Sequence, residues 1–175
     1  MKGQVWIETT LYTLIGLALI GMVLAFATPK ITAIQEKTMI EQTISSLQDF
    51  DKIVFDISTQ GPGNRRTYEI KFKKGDLIFN VLNNTITFKF ENLASEYSQV
   101  NSTINMGAVD ILTLAKQKKY DVYLTLNYSN TVQITVNGKN SSKEYFGSPT
   151  PYKLIVSNNG FIGSPSKSLI DISEV

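Results

Sequence analysis

Met1-Lys2-Gly3-Gln4-Val5-Trp6-Ile7-Glu8 opens the chain and runs into a stretch, Thr9 to Pro29, that holds no charged side chain. About 20 apolar residues are needed to cross a hydrocarbon core of roughly 30 Å as a helix. Residues 5–28 meet that length, with one carboxylate, Glu8, near the start. A carboxylate at the centre of a membrane helix costs about 2.5–3.5 kcal/mol, and less near the interface. Glu8 is therefore the one residue in this stretch that calls for a specific explanation.

Beyond Pro29 the helical period continues. Ala33, Lys37, Ile40, Ile44 and Leu47 recur at spacings of three and four, while Glu36, Glu41, Gln42 and Gln48 fall largely elsewhere on the wheel. The pattern predicts a helix over 4–57, apolar in 5–28 and amphipathic in 30–57, forming a rod of roughly 80 Å at about 1.5 Å per residue. Two helices broken at Pro29 are the alternative. Phe50, Ile53, Val54 and Ile57 crowd the C-terminal end with apolar groups, as expected if that end is clamped against the rest of the chain.

Gly61-Pro62-Gly63-Asn64 ends the helical pattern, and the Pro makes it a structural turn rather than a phosphate-cradling loop. From Thr67 the period becomes two. Tyr68, Ile70 and Phe72 alternate with charged residues, Lys74-Gly75-Asp76 turns the chain into 77–82, and Asn83-Asn84 turns it again into Ile86, Phe88 and Phe90. Residues 67–91 are thus predicted to be a three-stranded antiparallel meander. Residues 92–107 read as a polar loop. Strands are then predicted over 109–115, 122–128 and 132–136, the last ending at an Asn137-Gly138 turn, followed by a pair at 152–157 and 168–173. About eight strands over 58–175 predict an α+β protein: a long N-terminal helix and an antiparallel, sandwich-like β head.

Composition narrows the chemistry. The 175 residues contain neither His nor Cys, which removes the commonest general base, the commonest transition-metal ligand, thiolate sites and disulfides. Asp49, Asp51 and Asp56 lack the spacing and Gly of a calcium loop and read as solvent-facing acids. Catalysis, a cofactor and a metal are accordingly not expected. A net charge of +2, with no long basic run, gives no indication of nucleic acid. The cluster Lys116-Gln117-Lys118-Lys119 reads as a solvated hairpin tip. Asn83, Asn101, Asn127 and Asn140 begin N-x-Ser/Thr sequons, all beyond the Gly-Pro-Gly break, and are candidate N-glycosylation sites if the head lies outside the cell.

Three readings compete for the first thirty residues. Ala25-Phe26-Ala27 has the small-x-small form of a secretory cleavage site, although the apolar run is longer than such signals usually carry. A plain membrane anchor is the second. The third rests on the combination Lys2-Gly3, Gln4, Glu8 five residues after the Gly, and an uninterrupted hydrophobic helix. That combination resembles the class III signal peptide of type IV pilins, specifically the archaeal version, in which Gln-x-x-x-Glu follows a basic residue and Gly. The resemblance covers residues 2–28. It departs from the archaeal pattern at Trp6, where Ser is often found, and at Tyr12, where Leu is.

The resemblance implies that a prepilin peptidase removes leader 1–3 at Lys2, Gly3 and Gln4 on the cytoplasmic side and leaves the helix on the mature protein. The Gln4 ammonium could then pair with Glu8 of an adjacent subunit and set register, a pairing favoured in a low-dielectric bundle. Trp6 to Ala27 would form the dry bundle. Trp6, Gly16, Gly21 and Ala25 are packing candidates, with Gly21 and Ala25 forming a small-x-x-x-small pair. The expected partners are copies of the chain or other pilin-like subunits, the peptidase, and the membrane before assembly. The expected location is a single-pass membrane protein with its head outside, or a surface filament. A monomeric anchored ectodomain that binds a ligand or envelope partner is the competing function.

Overall fold

The computed structural model describes residues 2–175, with side chains from Trp6 onward. One helix, α1, runs from Lys2 to Gln60 without a break, about 88 Å at 1.5 Å per residue. Pro29 lies inside it. Proline lacks the N–H that would bond to the Ala25 carbonyl, yet the flanking residues keep helical geometry and the two-helix alternative does not apply. The helix stops at Gly61, which has φ +87°, the left-handed geometry that Gly adopts cheaply after a C-cap.

Ten strands follow: β1 Arg65–Ile70, β2 Asp76–Asn80, β3 Thr85–Leu93, β4 Thr103–Met106, β5 Val109–Lys116, β6 Lys119–Asn127, β7 Val132–Val136, β8 Lys143–Phe146, β9 Tyr152–Ile162 and β10 Lys167–Glu174. They form two sheets. The smaller has the order β1-β9-β10-β7 and the larger β4-β5-β6-β3-β2-β8. All pairings are antiparallel except β10 with β7. The protein is thus α+β, with one long helix and a mostly antiparallel β-rich head.

Several expectations from the sequence are corrected. Residues 67–91 are not a meander. β1 pairs with β9 in the smaller sheet, and only β2 and β3 form the expected hairpin. Alternation reveals that a segment is half-buried but not which strand it will pair with. The chain crosses between sheets at 71–75, where buried Phe72 meets the Phe88 ring edge-on at 4.8 Å. Asn137-Gly138 is a turn with both residues at positive φ (52° and 68°), but it opens no hairpin. It closes on a single bridge, Val136 to Lys139, and β7 pairs with β10 instead. The expected loop at 92–107 contains β4. All four β4 residues are exposed, so this edge strand lacks the alternation that would have marked it. The short edge strand β8 was also missed.

Both sheets and the second half of α1 share one core. Ile40, Ile44, Leu47, Phe50, Val54 and Ile57 of the helix are buried with Phe79, Phe88 and Phe90 of the larger sheet and Leu154, Val156 and Ile170 of the smaller. Gly75 lies where the crossing meets the core. It has φ +93°, and a Cβ there would collide with the Phe88 ring and lie 2.8 Å from the Lys89 carbonyl oxygen. Gly75→Ala is expected to destabilise the fold by roughly 2–4 kcal/mol, combining left-handed strain with overpacking. Urea denaturation checks this, and a loss below about 0.5 kcal/mol would show that the loop can relax.

Candidate functional site

Among the described residues, the first half of α1 has no tertiary partner within the monomer. Trp6, Ile7, Leu11, Tyr12, Leu14, Leu17, Phe26 and the other large apolar side chains between them are exposed, Trp6 at 78% and Phe26 at 79%. This is far more apolar surface than a soluble monomer leaves uncovered. By length and composition the segment could cross a membrane. Its hydroxyls are also satisfied internally: Thr10 donates to the Trp6 carbonyl at 2.8 Å, Thr13 to Thr9 at 2.8 Å and Thr28 to Leu24 at 2.7 Å. Back-bonded threonines present little unmet polarity to a nonpolar environment.

Glu8 is on this exposed half, with the Tyr12 hydroxyl donating to it over 3.5 Å one turn later. Gly21 and Ala25 are one turn apart and share a face. Gly16 lies about 140° around the helix from Gly21, so the three small residues do not form one stripe. A Cβ at Gly16 or Gly21 would meet nothing within 4 Å, so neither glycine is required by packing inside the monomer. Trp6 is exposed at the start of the segment. Lys2, Gly3 and Gln4 belong to the helix, but their side chains lie outside the described residues.

The second half of α1 is fixed to the head along its length. At its near end Glu36 is buried, its carboxylate accepting from Lys74 Nζ at 3.2 Å and from the Ala94 N–H at 2.7 Å. From the sequence Glu36 is expected off the apolar stripe of the helix. In the fold it continues the buried stripe, four residues before Ile40, and its spacing was the available signal. Midway, Phe50 meets the Tyr68 ring at 5.3 Å and the Phe79 ring at 6.4 Å, so one side chain touches both sheets. The Tyr68 hydroxyl donates to the Ser46 carbonyl at 2.8 Å. At the far end the orphan carbonyls expected of any helix C-terminus are capped by side chains of the head. Asn158 Nδ2 donates to Ile57 at 3.0 Å, Ser168 Oγ to Ser58 at 3.1 Å and Asn64 Nδ2 to Gln60 at 2.9 Å.

Asp51 is a further correction. It accepts a 2.9 Å hydrogen bond from the buried Tyr128 hydroxyl rather than serving only as a solvent-facing acid. Asp56 pairs with Arg66 at 2.9 Å and Asp49 with Lys52 at 2.8 Å. Burial, reinforced by the Asp51 charge, holds the Tyr128 hydroxyl well above the ordinary value of 10.0. A phenol whose folded pKa is raised contributes stability that is fully present below the unfolded value and is lost as pH rises beyond it. Tyr128→Phe is therefore expected to cost about 1–2 kcal/mol at neutral pH. It should also flatten the decline in stability above about pH 10, which denaturation at pH 8, 10 and 11 would measure.

The four sequon asparagines, Asn83, Asn101, Asn127 and Asn140, are all exposed. Among the described residues no group of three or more acidic side chains is arranged to hold a metal ion. No family model, curated protein or solved structure matches the chain.

Proposed function

We propose that this chain is a structural, pilin-like subunit whose α1 is processed after Gly3 and assembles into a filament core, with the β-rich head outside. The single observation that carries this reading is the asymmetry of α1. One continuous helix is locked to the head by its second half and leaves its first half apolar and uncovered. An uncovered apolar rod with a rigid grip on its cargo is what bundling of many copies requires, and the same rod holds the precursor in the membrane beforehand. In this reading Glu8 and the Gln4 ammonium set register between neighbours, and the sandwich-like head forms the outer surface. No catalytic step is assigned to the chain. The exposed positions of Asn83, Asn101, Asn127 and Asn140 support glycosylation there, and a mature mass equal to the bare polypeptide would remove that element.

A single-pass ectodomain that never polymerises would use the same exposed helix, because Trp6 to Phe26 are uncovered on every side rather than along one interface stripe. The test is the mature N-terminus, read by peptide mapping of the protein from its native cell. Gln4 is the expected result and Met1 would support the plain anchor. A terminus near residue 28 would overturn both readings, since the helix would have been discarded with a secretory signal.

A further inference from the structure

We infer that the end of the head nearest the apolar helix is a docking surface for anionic lipid headgroups. The inference rests on the reading of residues 9–29 as a membrane span.

The strand registers define this end. β3 runs from Thr85, paired with Asn127, to Leu93, paired with Tyr120. The β5–β6 turn at Lys116–Lys119 therefore sits beside Leu93, and the next residue, Ala94, donates to Glu36 of α1. The crossing at 71–75 reaches the same place, because its Lys74 also bonds Glu36. The opposite end of the head lies at Ile57 and Ser58, where Asn158 and Ser168 cap the helix. Both lysine-bearing loops thus face the apolar half of α1.

Their charges are not used up inside the protein. Lys74 is held by Glu36 and Lys116 lies 3.6 Å from Asp121. Lys71, Lys73, Lys118 and Lys119 are exposed, and among the described residues no carboxylate lies within ion-pair distance of them. Among the described residues, Glu96 and Asp76 are the carboxylates at this end with no lysine in ion-pair distance, and Glu91 is taken by Lys89 at 2.5 Å. The four free lysines outnumber those acids.

Distance makes the surface useful. The uncharged stretch of 21 residues, Thr9 to Pro29, spans about 31 Å, which matches the hydrocarbon core and puts Lys30 at its boundary. Glu36 lies seven residues beyond Pro29, a rise of about 10 Å. The headgroup layer beyond the core is itself about 5–7 Å deep. Lysine side chains on loops at the level of Glu36 therefore come within about one Debye length of anionic headgroups, roughly 8 Å at physiological salt. Each lysine so placed strengthens attraction to an anionic surface by about fivefold. The docked head would hold the precursor upright at the membrane until it is extracted.

The chain has no cysteine, so a single fluorophore can be placed at Thr150→Cys. This site is exposed beside the crossing, where the Ser148 N–H donates to the Phe72 carbonyl. A control label at Ser166→Cys sits in the β9–β10 turn at the opposite end. Full-length protein is reconstituted in phosphatidylcholine vesicles with or without about 30% phosphatidylglycerol, together with headgroup-spin-labelled lipid. Quenching at residue 150 should rise at least about twofold with the anionic lipid and fall in about 0.5 M salt. It should be lost in the variant combining Lys71→Gln, Lys73→Gln, Lys118→Gln and Lys119→Gln, with residue 166 unaffected. Equal quenching in both lipids, or full quenching in the four-lysine variant, overturns the inference. So does quenching that follows the protein-to-lipid ratio instead of lipid charge, since a second copy would then cover the lysines. Flotation separates the premises. Protein that floats with both vesicles but ignores lipid charge sinks the docking alone, whereas protein that floats with neither sinks the membrane span and the docking with it.

Discussion

Phe50→Ala is expected to lower the unfolding free energy by about 3–5 kcal/mol, the range for removing a large aromatic from a packed core. Phe50 is nearly fully buried and its ring touches Tyr68 of the smaller sheet and Phe79 of the larger. The variant therefore opens a cavity where the helix and both sheets meet, and no single element can relax to fill it. Phe55, five residues on, is 65% exposed, and Phe55→Ala is expected to change stability by no more than about 0.5 kcal/mol. Chemical denaturation of the two variants in detergent checks the contrast, with near-UV circular dichroism reporting the packing of the rings. Similar losses at both positions would mean that the joint between helix and head is not where the structure puts it. The contrast also bears on the proposed function, since in a filament a rod that slips against its head could not hold its neighbours in register.

In the proposed pilin-like assembly, Glu8→Ala is expected to reduce filament yield at least tenfold while leaving the amount of precursor in the membrane unchanged. At 4 Å and an effective dielectric of about 20, a carboxylate and an ammonium attract by roughly 4 kcal/mol, of which desolvation cancels a part. A surviving net of about 1.4 kcal/mol per contact is tenfold, and a filament repeats the contact at every subunit. Glu8→Gln keeps the shape and removes the charge, so it should fail as Ala does if charge pairing is the role. Sedimentation and negative-stain electron microscopy give the readout. Unchanged filaments from both variants would refute the register role and leave Glu8 as an acid at headgroup level, consistent with its contact to the Tyr12 hydroxyl on the exposed helix surface.

How much was legible depended on how local each signal was. The 3.6-residue stripe through Ile40, Ile44 and Leu47 and the clamp at Phe50, Val54 and Ile57 were readable because a helix satisfies its own backbone, leaving burial as the main unknown. β5 with β6 and β9 with β10 were readable as hairpins, since each pairs with its neighbour across a short connection. The partners of β1 and β7 were not. Both pair with strands far along the chain, and alternation is the same whichever strand lies alongside. β4 carried no alternation at all because no residue of it is buried. Glu36 and Asp51 were misjudged for a related reason. A carboxylate on a helix is polar until something distant supplies its partner, here Lys74 and Ala94 for Glu36 and Tyr128 for Asp51.

By itself, then, the amino-acid sequence determined that the N-terminal stretch is helical in period, apolar and uncharged from Thr9 to Pro29 with Glu8 at its start and amphipathic beyond, and that a β-rich region follows a Gly-Pro-Gly stop. Those are properties of composition and period, and no distant residue can alter them. Only the tertiary structure decided that the helix runs unbroken through Pro29, that its second half is gripped by two sheets, and that lysines from two separate loops gather at the end facing the apolar half. The last two depend on contacts between residues far apart in the chain, which sequence spacing does not encode; at Pro29 the local pattern fits either a broken or a continuous helix, because the missing N–H removes one hydrogen bond without fixing whether the neighbours stay helical.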